Sequence, residues 1–174
     1  MWLISDTHFN HANILQFVST WKDGQRVRPE FGEDAIQEMN EKIIDNWNRT
    51  VMPGDKIYHL GDIGSDKEWL TKTFARLHGK KRLILGNHDN YDMTFYAQFF
   101  EKIMVSRKVE DVILTHYPIR MDFELRRKAN IHGHIHEVNL PDDRYLNVSV
   151  EQTDYTPIHI DAAFEILRRR GVLE

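Results

Sequence analysis

Apolar positions along the chain fall into short runs separated by polar, glycine-bearing segments. Their spacing alternates between the periods of strand and helix. Residues 2–5 read as a short strand, followed by an irregular stretch containing Pro29 and Gly32. Over residues 33–48, Ile36, Met39, Ile43 and Trp47 recur at helical spacing with polar residues between them. The Val51-Met52-Pro53-Gly54-Asp55 turn ends that helix, and residues 56–60 form the next strand. Leu70, Phe74 and Leu77 share one face of a second helix over 67–77, which Gly79 stops. A compact strand over 82–85 ends at Gly86, and a short helix is predicted over 94–100. Strands follow at 103–106, 112–115, 130–132, 145–150 and 157–160, with a turn at Tyr117-Pro118 and a segment 122–128 open between helix and loop. Asp161 is expected to cap a closing helix that runs to Arg169.

Strand–helix alternation at the front argues an α/β fold, and the closely spaced strands at the back argue a second, partly antiparallel sheet. The expected architecture is a two-sheet sandwich with helices outside. At 174 residues the chain can build one hydrophobic core, so a single domain over 1–174 is expected. No apolar run approaches the length of a membrane span, so no membrane partner is expected. The absence of cysteine excludes disulfides and thiolate ligands. With Met1-Trp2-Leu3-Ile4 leading into Ser5-Asp6 without a basic leader, it sets the expectation of a cytoplasmic protein. No heptad or apolar patch announces an oligomer, which leaves monomer or homodimer.

A net charge of −4 weighs against extensive duplex nucleic-acid binding through a basic surface. It still permits a small phosphate-ester or nucleotide substrate, because bound metal ions reverse the local sign of an acidic protein. The chain holds 10 histidines, and the chemistry lies in how some of them sit. Asp6-Thr7-His8, Gly61-Asp62, Gly86-Asn87-His88-Asp89, Thr115-His116 and Gly133-His134-Ile135-His136 each follow a short apolar run. Any one of these has an ordinary reading as a turn or a polar surface loop. Together they present nitrogen and oxygen donors at five strand ends, the makings of one metal centre.

Asp6, His8, Asp62, Asn87, His116, His134 and His136 are too many ligands for one tetrahedral ion and suit two sites sharing Asp62. Two divalent ions, two carboxylates and a bridging hydroxide leave about +1, a pocket suited to an anionic phosphate. Mixed nitrogen and oxygen donors suit manganese, the favoured ion, and equally iron, nickel or zinc. His59, His132 and His159 lie in apolar strands and are expected in the core, and His78 at a helix end as a surface or capping residue. His11, three residues after His8, is placed to reach the edge of the site. Substrate contacts are expected from 9–31 and 117–128, with Arg26, Arg28, Arg120, Arg126 and Arg127 as candidate phosphate or base contacts.

The ordered set resembles the calcineurin-like metallophosphoesterases over nearly the whole chain. That family runs Asp-x-His, Gly-Asp, Gly-Asn-His-(Asp or Glu), a lone His, then Gly-His-x-His. The stretches Ser5-Asp6-Thr7-His8-Phe9 and Tyr58-His59-Leu60-Gly61-Asp62 look like its small bacterial and phage members. Gly64 departs from the pattern, standing where many relatives carry an acidic residue that is not a ligand.

The resemblance implies a four-layer α/β/β/α sandwich with two mixed sheets. It implies one metal held by Asp6, His8, Asp62 and His136, and another by Asp62, Asn87, His116 and His134. It places His88 against the phosphate, to stabilise charge or protonate the leaving oxygen, with Asp89 orienting His88 from behind. The implied activity is in-line hydrolysis of phosphoesters by a metal-bridging hydroxide. The lack of a long cap segment favours phosphodiesters. A phosphomonoesterase acting on a small metabolite and a nuclease acting on short single strands are the alternatives.

Overall fold

The computed structural model describes residues 1–123 and 126–174. Two mixed sheets lie face to face. The first has the order β4-β3-β2-β1-β9, built from β1 (Trp2–Ile4), β2 (Lys56–His59), β3 (Lys80–Ile84), β4 (Lys102–Met104) and β9 (Ile158–His159). Its strands are parallel except β9, which runs antiparallel to β1. The second has the order β5-β6-β7-β8, from β5 (Ser106–Val109), β6 (Val112–Thr115), β7 (Ala129–His132) and β8 (Tyr145–Asn147). Here β6, β7 and β8 are parallel and β5 is antiparallel to β6.

Strand alternation divides the apolar residues between two cores. Ile4, Ile57 and Leu83 point outward onto Met39, Ile43 and Trp47 of helix α1 (Ile36–Thr50). Leu70 and Phe74 of α2 (Lys67–Arg76) and Phe95 and Tyr96 of α3 (Met93–Tyr96) complete that layer. Leu3, Tyr58 and Ile84 point the other way, onto Val112, Leu114, Ile131 and Leu146 of the second sheet. Ile160, Ala163, Phe164 and Leu167 of α4 (Ile160–Arg169) join this inner core. On the far face of the second sheet the 117–121 segment packs down, with the Ile119 amide donating to Asn130 and the Tyr145 hydroxyl donating to the Ile119 carbonyl.

Four sequence expectations are corrected. The single strand expected over 103–106 is two strands in different sheets, β4 pairing with β3 and β5 with β6, broken at exposed Val105. The apolar run Ile103-Met104-Val105 continues through that break, so the pattern carries no sign of the change of sheet. The strand expected over 145–150 leaves the second sheet early: Asn147 Oδ1 accepts from the Ser149 amide, and Ser149 bridges to Ser5 of the other sheet. The closing helix is capped by His159, whose Nδ1 accepts from the Asp161 amide, and not by Asp161. His159 is accordingly half-buried rather than a core residue, and its Nε2 meets the amino terminus at 2.9 Å.

Where Gly64 departs from the family pattern, its neighbour explains it. A side chain there would sit 2.2 Å from the Phe9 carbonyl oxygen, because the two backbones pair directly. His78 is half-buried and ties the end of α1 to the chain, its amide donating to Asn48 and its Nδ1 meeting the Val51 carbonyl. The open segment 122–128 includes residues 124–125, which lie outside the described residues; a short 3-10 turn occupies Met121–Phe123.

His59 and His132 are buried as expected. His59 Nδ1 accepts from the Gly61 amide at 3.2 Å, while Thr7 donates its own hydroxyl to the Ile63 carbonyl. The 2.9 Å contact from His59 Nε2 to Thr7 Oγ1 is therefore donated by the imidazole, which is neutral. Burial lowers the pKa of His59 from 6.5 to about 3. A depressed histidine contributes stability that is complete above its unfolded pKa and is lost as pH falls towards the folded one. The ring resonances of His59 should show the neutral Nε2–H form from about pH 7 down to about pH 5. A titration midpoint near 6.5 by NMR would contradict this burial.

Candidate metal centre

Five strands deliver the signature residues to one edge of the sandwich. Asp6 and His8 follow β1, Asp62 follows β2, Asn87 and His88 follow β3, His116 follows β6, and His134 and His136 follow β7. Because these strands are parallel within each sheet, their carboxyl ends open at the same rim. The chain then bends sharply. Asp6, His8, Asp62, His134 and His136 have φ of 57°, 46°, 58°, 70° and 46°, left-handed backbone that L-residues take at a cost of about 1–3 kcal/mol each.

Buried hydrogen bonds hold these bends. Arg28 is fully buried, and its guanidinium donates to the Asp6 carbonyl at 2.6 Å and the Thr7 carbonyl at 3.1 Å. Arg28 therefore supports the loop from beneath and is not the substrate contact expected from the sequence. Asp89 also differs from expectation. Its carboxylate accepts from the amides of Asp62, Ile63 and Gly86, at 2.9, 3.0 and 2.8 Å, so it joins two loops instead of orienting the His88 ring. Burial pushes its pKa up.

The potential ligand atoms fall into two groups, Asp6 with His8 and His136, and Asp62 with His116 and His134. Within each, the donor atoms lie within 4.8 Å of one another. The Asp62 carboxylate stands between the groups: Oδ1 accepts from the His88 amide at 2.8 Å, while Oδ2 is 3.6 Å from His8 Nε2 and 3.4 Å from His116 Nε2. Asn87 Oδ1 lies 2.9 Å from His116 Nε2. All seven candidate ligands thus converge on one rim.

Three of the imidazoles are fixed from behind through Nδ1. His116 Nδ1 meets the Leu60 carbonyl at 2.8 Å, His136 Nδ1 meets Glu151 at 3.0 Å, and His8 Nδ1 meets His11 Nδ1 at 3.2 Å. Each contact leaves Nε2 to face the centre, the orientation that a metal-binding imidazole requires. Asp6 is fixed through one oxygen only: Oδ2 accepts from the His134 amide at 2.9 Å and the Ser149 hydroxyl at 3.0 Å. Gly133 permits this approach, since a Cβ there would lie 2.2 Å from Asp6 Oδ2.

Two observations test whether these residues fit a cation. Asp6 Oδ1 and His8 Nε2 are buried without hydrogen-bond partners, a cost of about 1–3 kcal/mol each that a metal ion would remove. His116 donates through Nδ1 to a carbonyl and turns Nε2 towards two oxygens, so either a proton or a cation must stand between them. Without an ion a proton fills that place. Burial alone would lower the pKa of His116, and the hydrogen bond to Asp62 overrides it and raises it. His8 and His134 are lowered by burial. The residues fit a pair of divalent ions.

Sequence reasoning missed Glu151. Burial would raise its carboxyl, but the charges of Arg28 and His136 hold it at about 2. His136, which burial would lower, is carried by Glu151 to about 9. A glutamate in an ordinary polar stretch gave no signal; only its 2.8 Å contact to Arg28 Nε and 3.0 Å contact to His136 show its place. His11 does reach the site, half-buried, with its ring 5.9 Å from that of His88. Of the other candidate arginines, Arg26 pairs with Glu33 and Arg120 with Asp122, and Arg126 and Arg127 adjoin residues 124–125.

Comparison with known proteins identifies the family. A family model described as the calcineurin-like phosphoesterase superfamily domain matches residues 1–151. An uncharacterised protein of Methanocaldococcus jannaschii is 31% identical, over 99% of this chain and 94% of its own length. The gene 66 protein of Mycobacterium phage L5 is 26% identical over 78% of this chain and 76% of its own. A crystal structure of an Aquifex aeolicus protein of unknown function superposes with a TM-score of 0.70 at 27% identity, covering 95% of this chain and 98% of that one. Ordered motifs, two facing mixed sheets and the family match together place this chain in the calcineurin-like phosphoesterase superfamily of metal-dependent phosphoester hydrolases.

Proposed function

We propose that the chain is a dinuclear phosphodiesterase acting as one catalytic domain over residues 1–174. The observation that carries this reading is the Asp62 carboxylate, which faces both donor groups with one oxygen. Asp6, His8 and His136 would hold one ion, Asn87, His116 and His134 the other, and Asp62 would serve both. A sulfur-free set of nitrogen and oxygen donors supports manganese, with iron, nickel or zinc also suited. When bound, such ions lower the pKa of water and neutralise the equatorial oxygens of phosphate.

The chain's own groups supply the rest. Asp6 and Asp62 bring the negative charge that attracts the ions, and the imidazoles held through Nδ1 keep Nε2 directed at them. His88 is exposed at the rim, with its amide anchored on Asp62 and its ring 5.3 Å from the His8 ring. From there it donates a proton to the departing ester oxygen. Diester preference is supported by charge: Arg28, bonded to the Asp6 and Thr7 carbonyls, is buried and already occupied, so it cannot clamp a dianionic monoester.

Three outcomes are expected. After chelation and refilling with Mn²⁺, Ni²⁺, Zn²⁺ or Fe²⁺ in turn, bis-p-nitrophenyl phosphate should be hydrolysed faster than p-nitrophenyl phosphate; the reverse order would make the enzyme a phosphomonoesterase. His88→Ala should keep most of its bound metal by elemental analysis and lose roughly 10²-fold in turnover of esters with poor leaving groups. Equal loss of metal would remove His88 from its proton-donor role. Glu151→Gln should weaken metal binding by about 10–100-fold in calorimetric titration, because His136 loses the carboxylate that orients it. Unchanged affinity would make Glu151 a partner of Arg28 alone.

A further inference from the structure

Phe17, Val18 and Trp21 are 41%, 55% and 77% exposed, and these large apolar side chains stand together on one short segment. The segment is folded. Val18 and Arg26 pair across it, the Ser19 amide donates to the Gln25 carbonyl at 2.8 Å, and the Val27 amide donates to the Phe17 carbonyl at 2.9 Å. At its tip the buried Ser19 hydroxyl accepts from the amides of Trp21 and Lys22, at 3.1 and 3.0 Å. Backbone order is thus maintained around an indole that the protein core does not use, the mark of a surface kept for a ligand.

The exposed segment forms one wall of a cleft of about 300 Å³. His134, His136 and Glu137 also line it. The apolar wall begins at the metal centre itself: the Phe17 ring meets the His11 ring edge-on at 6.1 Å, and His11 touches His8. Whatever occupies this cleft is within reach of a phosphate held at the donor groups.

We infer that the cleft seats the base of a nucleoside phosphodiester, with Trp21 and Phe17 as the stacking wall. This inference rests on the phosphodiesterase reading. An aromatic wall favours a flat ring, since every base offers a π-face. Glu137 in the lining selects among flat and greasy groups: its carboxylate accepts from the N–H groups of a base or the hydroxyls of a ribose, whereas an acyl chain would bury it unpaired. The same carboxylate repels a further phosphate, so the ester carries one nucleoside and not a long strand.

The test compares three diesters with the same leaving group on the Mn²⁺-loaded protein: thymidine 5′-(p-nitrophenyl phosphate), methyl p-nitrophenyl phosphate and octyl p-nitrophenyl phosphate. The nucleoside ester should exceed the methyl ester in kcat/KM by about tenfold or more, and Trp21→Ala should shrink that ratio by about fivefold or more. A wild-type ratio near one, a ratio untouched by Trp21→Ala, or preference for the octyl ester would overturn the inference. If no ester is cleaved, the catalytic reading has failed and the cleft is judged by binding alone. Thymidine 5′-monophosphate should then quench tryptophan fluorescence in the wild type and not in Trp21→Ala. Absence of that difference would overturn the cleft assignment independently.

Discussion

One carboxylate oxygen joins the two sheets at their functional rim. Asp6 Oδ2, at the end of the first strand of the first sheet, accepts from the His134 amide of the second sheet and from Ser149 on the crossing segment. Hydrogen bonds to a charged group contribute about 1.5–3 kcal/mol each, enough to fix the separation of the strand ends. That separation sets where every other donor falls. Pulled apart by an ångström or two, His8 and His136 would no longer share a centre, and Asp62 could not face both groups.

Beneath this contact lies a set of polar groups that a purely apolar core would not need. Arg28 and Glu151 form a buried ion pair, whose desolvation opposes folding as much as their attraction favours it. Its value lies in geometry. The guanidinium occupies the carbonyls of a loop bent into left-handed backbone, and the carboxylate holds His136 by its rear nitrogen. Asp89 does the same for the loops after the second and third strands. The strain of five left-handed residues is thus balanced by side chains bonded to backbone, while Asp6 Oδ1 and His8 Nε2 stay without partners.

An acidic chain can in this way present a locally cationic pocket. Among the described residues, Asp6 and Asp62 supply the carboxylates of the two donor groups, and Glu151, bonded to His136, is neutralised from behind by Arg28. Divalent ions would outweigh the charge that remains, which suits an anionic phosphoester. No helix among the described residues is long and apolar enough to cross a membrane.

Much of this was legible in the sequence because it is local. Apolar periodicity located the helices and most strands, and short motifs at strand ends named all seven candidate ligands that the fold gathers on one rim. Periodicity failed at 103–106 and 145–150, where the chain passes between sheets without altering its apolar pattern. Which oxygen of Asp62 faces which histidine, the burial of Arg28, the partners of Asp89 and the place of Glu151 were decided by tertiary structure alone. Each depends on contacts between residues far apart in the chain, whose energies come from burial and direction, and neither quantity is encoded in the spacing of residue types.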